Sequence, residues 1–483
     1  MLPCRQEEIE VTEDHNNTRA LRRETVFITG GMAAFVASIQ LYSPAILPFQ
    51  RLPGTTAFVG SFAQILLACT FVLALIVALL AFRGRRIPDA VARPTGALLY
   101  VIGSASFIAS SVFDALPSNA IAFTCIATAL TCSLGSVLLC LTWGRILKRL
   151  SFSRALITAA SAAVICAAIH AFEYYAPVEI ALGAFAACVI AAALLPYALR
   201  SHQATSQPAF SEHLPSLAHV TAAPALGLAL CAFITGSMRT VFMEMYDTYI
   251  VGTLIAAAIV ISCVLLTRNA PLIRVLYQRV IPLIAVSTLS IFSITLAVLG
   301  GSVLNAVMTM LLYMFVAILT LGIICAIAHA GEFPSDSVFL LALSLFALAS
   351  FLGVRAGEMI ADSDMNTLAI VVTALYAITT VQSQGVFNKA DAEPDARPEH
   401  GQDPNHDLPD THKATEEHID TIAQAHNLTR RETEILHYLA KGHTGAYVAK
   451  VLFISPNTAR THIHNIYRKL NVSSREEILH LTR

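Results

Sequence analysis

The sequence predicts an all-α protein in two unequal parts: a polytopic bundle of about twelve transmembrane helices, split six and six, then a small domain of about four helices at the carboxyl end. Three observations carry this. The 483 residues have a mean hydropathy of +0.65 and only 13% are charged, against about 25% in soluble domains. Apolar stretches near the ~20 residues needed to cross hydrocarbon recur from Thr25 to about residue 383. After that the composition reverses, first to acids and proline, then to short amphipathic segments with capping residues.

Four regions follow: an amino-terminal tail (1–24), a transmembrane bundle acting as sensor (25–383), a flexible acidic and proline-rich linker (384–414), and a terminal domain (415–483). The tail is polar and holds no apolar run before Thr25, so it is no signal peptide. Predicted spans lie at 25–47, 57–82, 95–114, 119–142, 155–172, 178–199, 220–238, 249–267, 280–299, 303–328, 337–353 and 367–383, the 220–238 span being the weakest. Loop charge orients them. With the amino terminus in the cytoplasm, sixteen basic residues fall inside, including Arg83, Arg85, Arg86, Arg145, Lys148 and Arg149. Only Arg51, Arg239 and Arg355 fall outside. The expectation is a multi-pass protein of the inner (cytoplasmic) cell membrane with both termini cytoplasmic.

Few polar residues enter the spans: Gln40, Gln64, His170, Asn305 and His329. Mid-membrane acids are missing, which argues against a proton-coupled pump. Charges gather at the outer ends instead: Glu173 and Glu179, then Arg239, Glu244 and Asp247, then Arg355 and Glu358. Solvated loops account for most of these; the sharper expectation is an outward ligand mouth of Arg239, Glu244 and Arg355. The single Trp143 reads as an interfacial anchor at the inner face. The long interior loop at about 200–219, the six-plus-six split and the basic turn Arg83-Gly84-Arg85-Arg86 resemble the major facilitator transporters.

The stretch from Leu428 to Leu481 carries the recognition chemistry. Thr429 and Glu432 form a capping box that opens a helix buried through Ile435, Leu436 and Leu439. Gly442 stops it, because a residue past a helix end often needs positive φ. Thr444 caps a second helix buried through Val448, Ala449 and Leu452. Ser455, with Pro456 behind it, caps a third, buried through Ile463, Ile466 and Leu470. Its free face shows Asn457, Thr458, Arg460, Thr461, His464 and Arg468. Ser473 and Glu476 open a fourth. A short helix, a tight turn and a second helix with a basic free face describe a helix-turn-helix. Nine Lys and Arg stand against four acids from Leu428 onward, a balance that favours a polyanion.

These residues resemble the DNA-binding domain of the LuxR/FixJ/GerE regulators. The resemblance rests on Leu428-Thr429-x-Arg431-Glu432-x-Glu434-Ile435-Leu436, Ala440-x-Gly442, Val448-Ala449-x-x-Leu452, Ile454-Ser455-x-x-Thr458 and His462-x-x-Asn465-Ile466-x-x-Lys469-Leu470-x-Val472-x-x-Arg475. It implies that Arg460, Thr461 and His464 reach base edges, that Thr458 and Lys469 hold the DNA backbone, and that the fourth helix pairs two copies into a homodimer. Tyr447 departs from the family, which carries Glu there.

No phosphate-cradling loop, metal cluster or nucleophile elbow occurs, and the ten cysteines show no Cys-x-x-Cys pair. No enzyme and no cofactor are expected. The expected partners are double-stranded DNA, the lipid bilayer, a second copy of the chain and an unidentified small-molecule ligand. The expected function is a membrane-anchored, one-component transcription regulator; the alternative is a major-facilitator-like transporter with a regulatory DNA-binding tail.

Overall fold

The computed structural model describes residues 24–41, 47–52, 56–112, 118–199, 214–237, 246–266, 303–330, 333–359, 411–452, 454, 456–472 and 475–482, with isolated positions between. Every regular element among the described residues is helical. The chain divides into two compact units, one of residues 1–210 and 224–378, the other of 211–223 and 379–483.

The amino-terminal helices are α1 (Glu24–Ser38), α2 (Thr56–Phe82), α3 (Asp89–Val112), α4 (Ser118–Leu147), α5 (Phe152–Tyr175), α6 (Val178–Ala198), α7 (Leu214–Ser237), α8 (Tyr246–Leu266), α9 (Val303–Ala330) and α10 (Ser335–Met359). Eight of them, α2 to α6 and α8 to α10, are long and apolar enough to cross a membrane. Helix α1 and the Ala225–Ser237 part of α7 are shorter apolar helices. The expected spans at 280–299 and 367–383 lie almost wholly outside the described residues. Helix ends overrun the apolar windows read from sequence. Helix α3 opens at Asp89 rather than at residue 95 and contains Pro94, and α4 runs on to Leu147. Asp89 in the first turn complements the helix dipole, which favours the earlier start.

Burial separates the lining of the bundle from its rim. Within its apolar window α9 is 89% buried, whereas α6 is 28% buried. The exposed side chains are those a hydrocarbon solvent accepts: Val72, Ile76 and Leu79 on α2, Leu98 and Ile102 on α3, Ile190 and Leu194 on α6. Lipid gives apolar helices no hydrophobic reason to associate, so close packing through small residues must supply it. A Cβ added to Gly135 of α4 would sit 2.5 Å from the Tyr100 nitrogen of α3, and one on Gly103 would sit 2.8 Å from the Cys132 nitrogen. Gly353 of α10 likewise meets the Phe233 carbonyl of α7.

Polar groups inside the bundle mostly satisfy one another. Ser38 Oγ meets Tyr100 Oη at 2.8 Å, Gln40 Nε2 donates to Ser104 Oγ at 2.8 Å, and Thr70 donates to Ser133 Oγ at 3.1 Å. Trp143 is not the interfacial anchor expected of it. It is 1% exposed and donates from Nε1 to the Ala192 carbonyl at 3.2 Å.

Gly135→Val should separate α3 from α4, because the obstructing atoms are backbone. The expected cost is about 1–3 kcal/mol, read as a lower thermal midpoint of the detergent-solubilised protein. Gly183→Val, where a Cβ meets nothing within 4 Å, should leave the midpoint in place. Equal midpoints for both variants would remove the packing role assigned to Gly135.

Candidate nucleic-acid interface

The carboxyl-terminal helices are α11 (Thr411–Ala425), α12 (Arg430–Ala440), α13 (Gly445–Val451), α14 (Pro456–Leu470) and α15 (Arg475–Leu481). Local chemistry sets their limits. Thr429 caps α12 with both halves of the capping box present: Glu432 N donates to Thr429 Oγ1, and Thr429 N donates to Glu432 Oε2 at 2.8 Å. Gly442 takes φ +82° as expected, and Asn427 and Asn471 take φ 50° and 54°. Each of the three closes a helix with a bond from the following residue back across the last turn. Leu428 N donates to Ala423 O (2.9 Å), His443 N to Tyr438 O (3.0 Å) and Val472 N to Tyr467 O (3.0 Å). Thr444 Oγ1 accepts from Tyr447 N at 3.2 Å, capping α13. The expected caps at Ser455 and Ser473 lie outside the described residues.

The domain core joins Ile435, Leu436 and Leu439 of α12, Val448 and Ala449 of α13, and Ala459, Ile466 and Leu470 of α14, all buried. Helix α14 thereby turns one face inward. Arg460, Thr461, His464 and Arg468 are exposed on it, and Thr458 is half-buried. The structure thus brings the expected base-reading residues onto one exposed surface. Ile463 also packs toward α13, its Cδ1 within 2.9 Å of where a Cβ on Gly445 would fall.

Lys469 has an internal employment. Its ammonium lies 2.7 Å from Glu432 Oε2 and 3.0 Å from the Asn427 carbonyl, tying the end of α14 to the start of α12. Arg431 makes a second tie, donating from Nη1 to Glu434 (2.7 Å) and from Nη2 to the Leu452 carbonyl (2.7 Å) at the end of α13. Helix α11 is held by buried Ile419 and Ala423 and by Asp420, 2.9 Å from His437 Nε2 of α12. Burial opposes ionisation of Glu432, but the Lys469 ammonium and the Thr429 N–H and O–H overcome it and hold the carboxyl below the usual carboxylate range.

In the membrane unit, the proposed ligand mouth is only partly visible. Arg239 and Glu244 lie outside the described residues. Arg355 is exposed on α10 and pairs with Glu358 one turn on, at 2.7 Å. Three features escaped the sequence. Arg145, counted there only as an interior loop charge, joins three helix ends. It donates to Asp336 of α10 at 3.0 and 2.6 Å, to the Ile87 carbonyl at 2.8 Å, and pairs with Asp89 of α3. A cavity of about 320 Å³ lies among α1, α4, α5 and α7 to α10, with Trp143, Cys166, Tyr249 and Phe339 in its wall and no charged residue among the described residues that line it. Thr158 in that wall carries a buried hydroxyl with no partner among the described residues. Finally, Glu173, placed by its position among solvated outer charges, is 0% exposed. No group of His, Cys, Asp and Glu suited to a metal occurs among the described residues.

The Glu432 arrangement predicts a pH dependence. A carboxyl whose folded value is depressed contributes stability that is present above its ordinary value, near 4.5, and lost as pH falls through the folded value. Urea unfolding of residues 411–483, followed by circular dichroism, should show that decline. Glu432→Gln should lower stability at neutral pH by about 1–3 kcal/mol and flatten the acid limb. An unchanged acid limb in the Gln variant would assign it to another group.

Across residues 426–482 the chain matches the GerE family, described as bacterial regulatory proteins, luxR family. It is 52% identical over 48 residues to the nitrate/nitrite response regulator protein NarP of Escherichia coli, covering 10% of this chain and 22% of that protein. It is 47% identical over 51 residues to the transcriptional regulatory protein LiaR of Bacillus subtilis (11% and 24%) and 38% identical over 52 residues to the regulatory protein SdiA of Escherichia coli (11% and 22%). The chain thus spans only 22–24% of the length of these relatives. Among solved structures it is similar to an outward-facing bacterial homologue of the iron transporter ferroportin, with TM-score 0.56, 14% identity, and 75% of this chain and 99% of that one covered. It is also similar to the major facilitator superfamily proton:xylose symporter XylE (TM-score 0.51, 10% identity, 77% and 96%) and to the human organic anion transporter MFSD10 (0.50, 14%, 75% and 98%). At these identities the likeness is one of fold alone. Residues 426–482 are thus similar to the bacterial regulatory proteins of the luxR family, in a chain whose apolar helices resemble the major facilitator transporters in fold.

Proposed function

We propose that the chain is a membrane-anchored transcription regulator, a one-component sensor in which the helical bundle receives a signal and the luxR-type domain delivers it to a promoter. The observation that carries this is the exposed face of α14, with Arg460, Thr461 and His464, on the same chain as eight helices able to cross a membrane. The excess of interior basic residues puts both termini in the cytoplasm, where DNA is. In this reading Arg460, Thr461 and His464 meet base edges in the major groove, the Arg460 fork being suited to guanine. Thr458 and Lys469 hold the sugar–phosphate backbone, Lys469 with the donor left over from Glu432 and Asn427. Helix α15, with Leu481 exposed, pairs two copies on a two-fold site.

The signal, in the same reading, is an uncharged, largely apolar small molecule held in the central cavity. A wall without charge cannot compensate an ion, and the Thr158 hydroxyl offers one hydrogen bond to a single polar group on such a ligand. The ligand acts by favouring one arrangement of the bundle over another. The transporter reading draws on the fold and on the same cavity. Uptake into vesicles would support it; a reporter response without uptake supports the sensor.

Gel retardation with the solubilised full-length protein tests the interface. Arg460→Ala should cost about 1–3 kcal/mol on a specific site and much less on random duplex. Lys469→Ala should weaken both alike, reduce the salt dependence, and lower the melting midpoint of the domain because Glu432 loses its partner. Equal losses for Arg460→Ala on specific and random DNA would refute its base-reading role.

A further inference from the structure

Glu173 sits near the end of α5, inside the bundle. The residue is 0% exposed, and neither carboxyl oxygen has a hydrogen-bond partner among the described residues. A charged carboxylate in that position would be both dehydrated and unpaired, which costs far more than giving up the charge. Among the described residues, the cation beside it is Arg51. Its guanidinium is occupied by main-chain carbonyls, donating from Nη1 to Glu173 O at 2.9 Å and to Ala176 O at 2.8 Å. It caps the end of α5 and leaves the acid alone.

We propose that Glu173 is a proton-binding site of the membrane unit: the carboxyl holds a proton in the arrangement seen here, and gives it up in a second arrangement that opens the end of α5 to water and to Arg51. The balance is simple. The carboxyl O–H breaks, the proton passes to water, and the carboxylate left behind takes Arg51 from the Glu173 and Ala176 carbonyls.

The preceding turns of α5 reach the cavity wall. On α5, His170 lies one turn before Glu173, is itself 0% exposed, and meets Tyr249 Oη of α8 at 3.3 Å and Cys166 at 3.7 Å. Cys166 and Tyr249 both line the cavity. Among the described residues, the elements around Glu173 carry these other titratable or charged groups. Helix α8 contributes Tyr246, stacked on Tyr174 at 4.2 Å, and Asp247, which accepts from Tyr175 at 2.9 Å. Helix α6 contributes Cys188 and exposed Glu179. Helix α9 brings Tyr313 and Cys325 to the cavity wall, and the turn after Leu47–Gln50 brings Arg51. Arg51 is the one cation in this set besides a protonated His170.

The site is independent of the DNA reading, and its test does not use DNA. Infrared spectra of the full-length protein in lipid nanodiscs should show a protonated carboxyl band at neutral pH that is lost on alkaline titration. The band should be missing in Glu173→Gln and present in Glu358→Gln. The single tryptophan, Trp143, lines the cavity and reports the coupling: its emission should titrate with the same midpoint, and become flat in Glu173→Gln but not in His170→Asn. Absence of any protonated carboxyl band in the wild type at neutral pH overturns the proposal, whether or not the variants fold. So does a band that persists in Glu173→Gln, and so does an emission titration that His170→Asn alone abolishes.

Discussion

Hydrocarbon offers a polar group no partner, so such a group must find one inside the protein or give up its charge. That constraint sorts this chain. It drives Ser38 onto Tyr100 and Gln40 onto Ser104. It leaves the central cavity walled by side chains without charge. It bears hardest on Glu173, whose buried carboxyl oxygens have no hydrogen-bond partner among the described residues. It also confines charged recognition chemistry to the ends of the helices and the tail. Arg145, a guanidinium drawn into the bundle wall, is met by two carboxylates and a carbonyl.

The luxR-type domain solves the opposite problem. In water a small domain buries little surface, so ion pairs at helix ends do much of the positioning. The Glu432 carboxylate belongs to the capping box of α12 and also takes the Lys469 ammonium from the far end of α14. One buried acid therefore sets both where α12 begins and how α14 lies across it. Arg431 does the same for the end of α13 through the Leu452 carbonyl. With the core side of α14 fixed by Ala459, Ile466 and Leu470, Arg460, Thr461 and His464 stand outward as a consequence of packing.

What the sequence revealed was local. The Thr429–Glu432 box, the stop at Gly442 and the apolar faces of α12 to α14 each depend on residues within a turn or two, and each is found in the structure. The eight long apolar helices among the described residues were legible because lipid demands a length and a composition. What was missed is pairing across sequence distance. The tie between Lys469 and Glu432 joins residues 37 apart, which no local spacing shows. Arg145 was counted as a loop charge because Asp336 is 191 residues away. Glu173 was placed in solvent because, near the end of an apolar run, burial is decided by the neighbouring helices α6 and α8. Asn427 and Asn471 were passed over because asparagine visits positive φ far less regularly than glycine.

In the proposed function the membrane-held chain grips DNA through the outward face of α14. Crosslinking of the intact chain to chromatin in living cells, followed by sequencing of the recovered DNA, tests it most directly. The expected result is a small set of fragments sharing a two-fold sequence, lost in Arg460→Ala while that variant still sediments with the membrane. Recovery of the same fragments by wild type and Arg460→Ala, or of none enriched over bulk DNA by either, would contradict it.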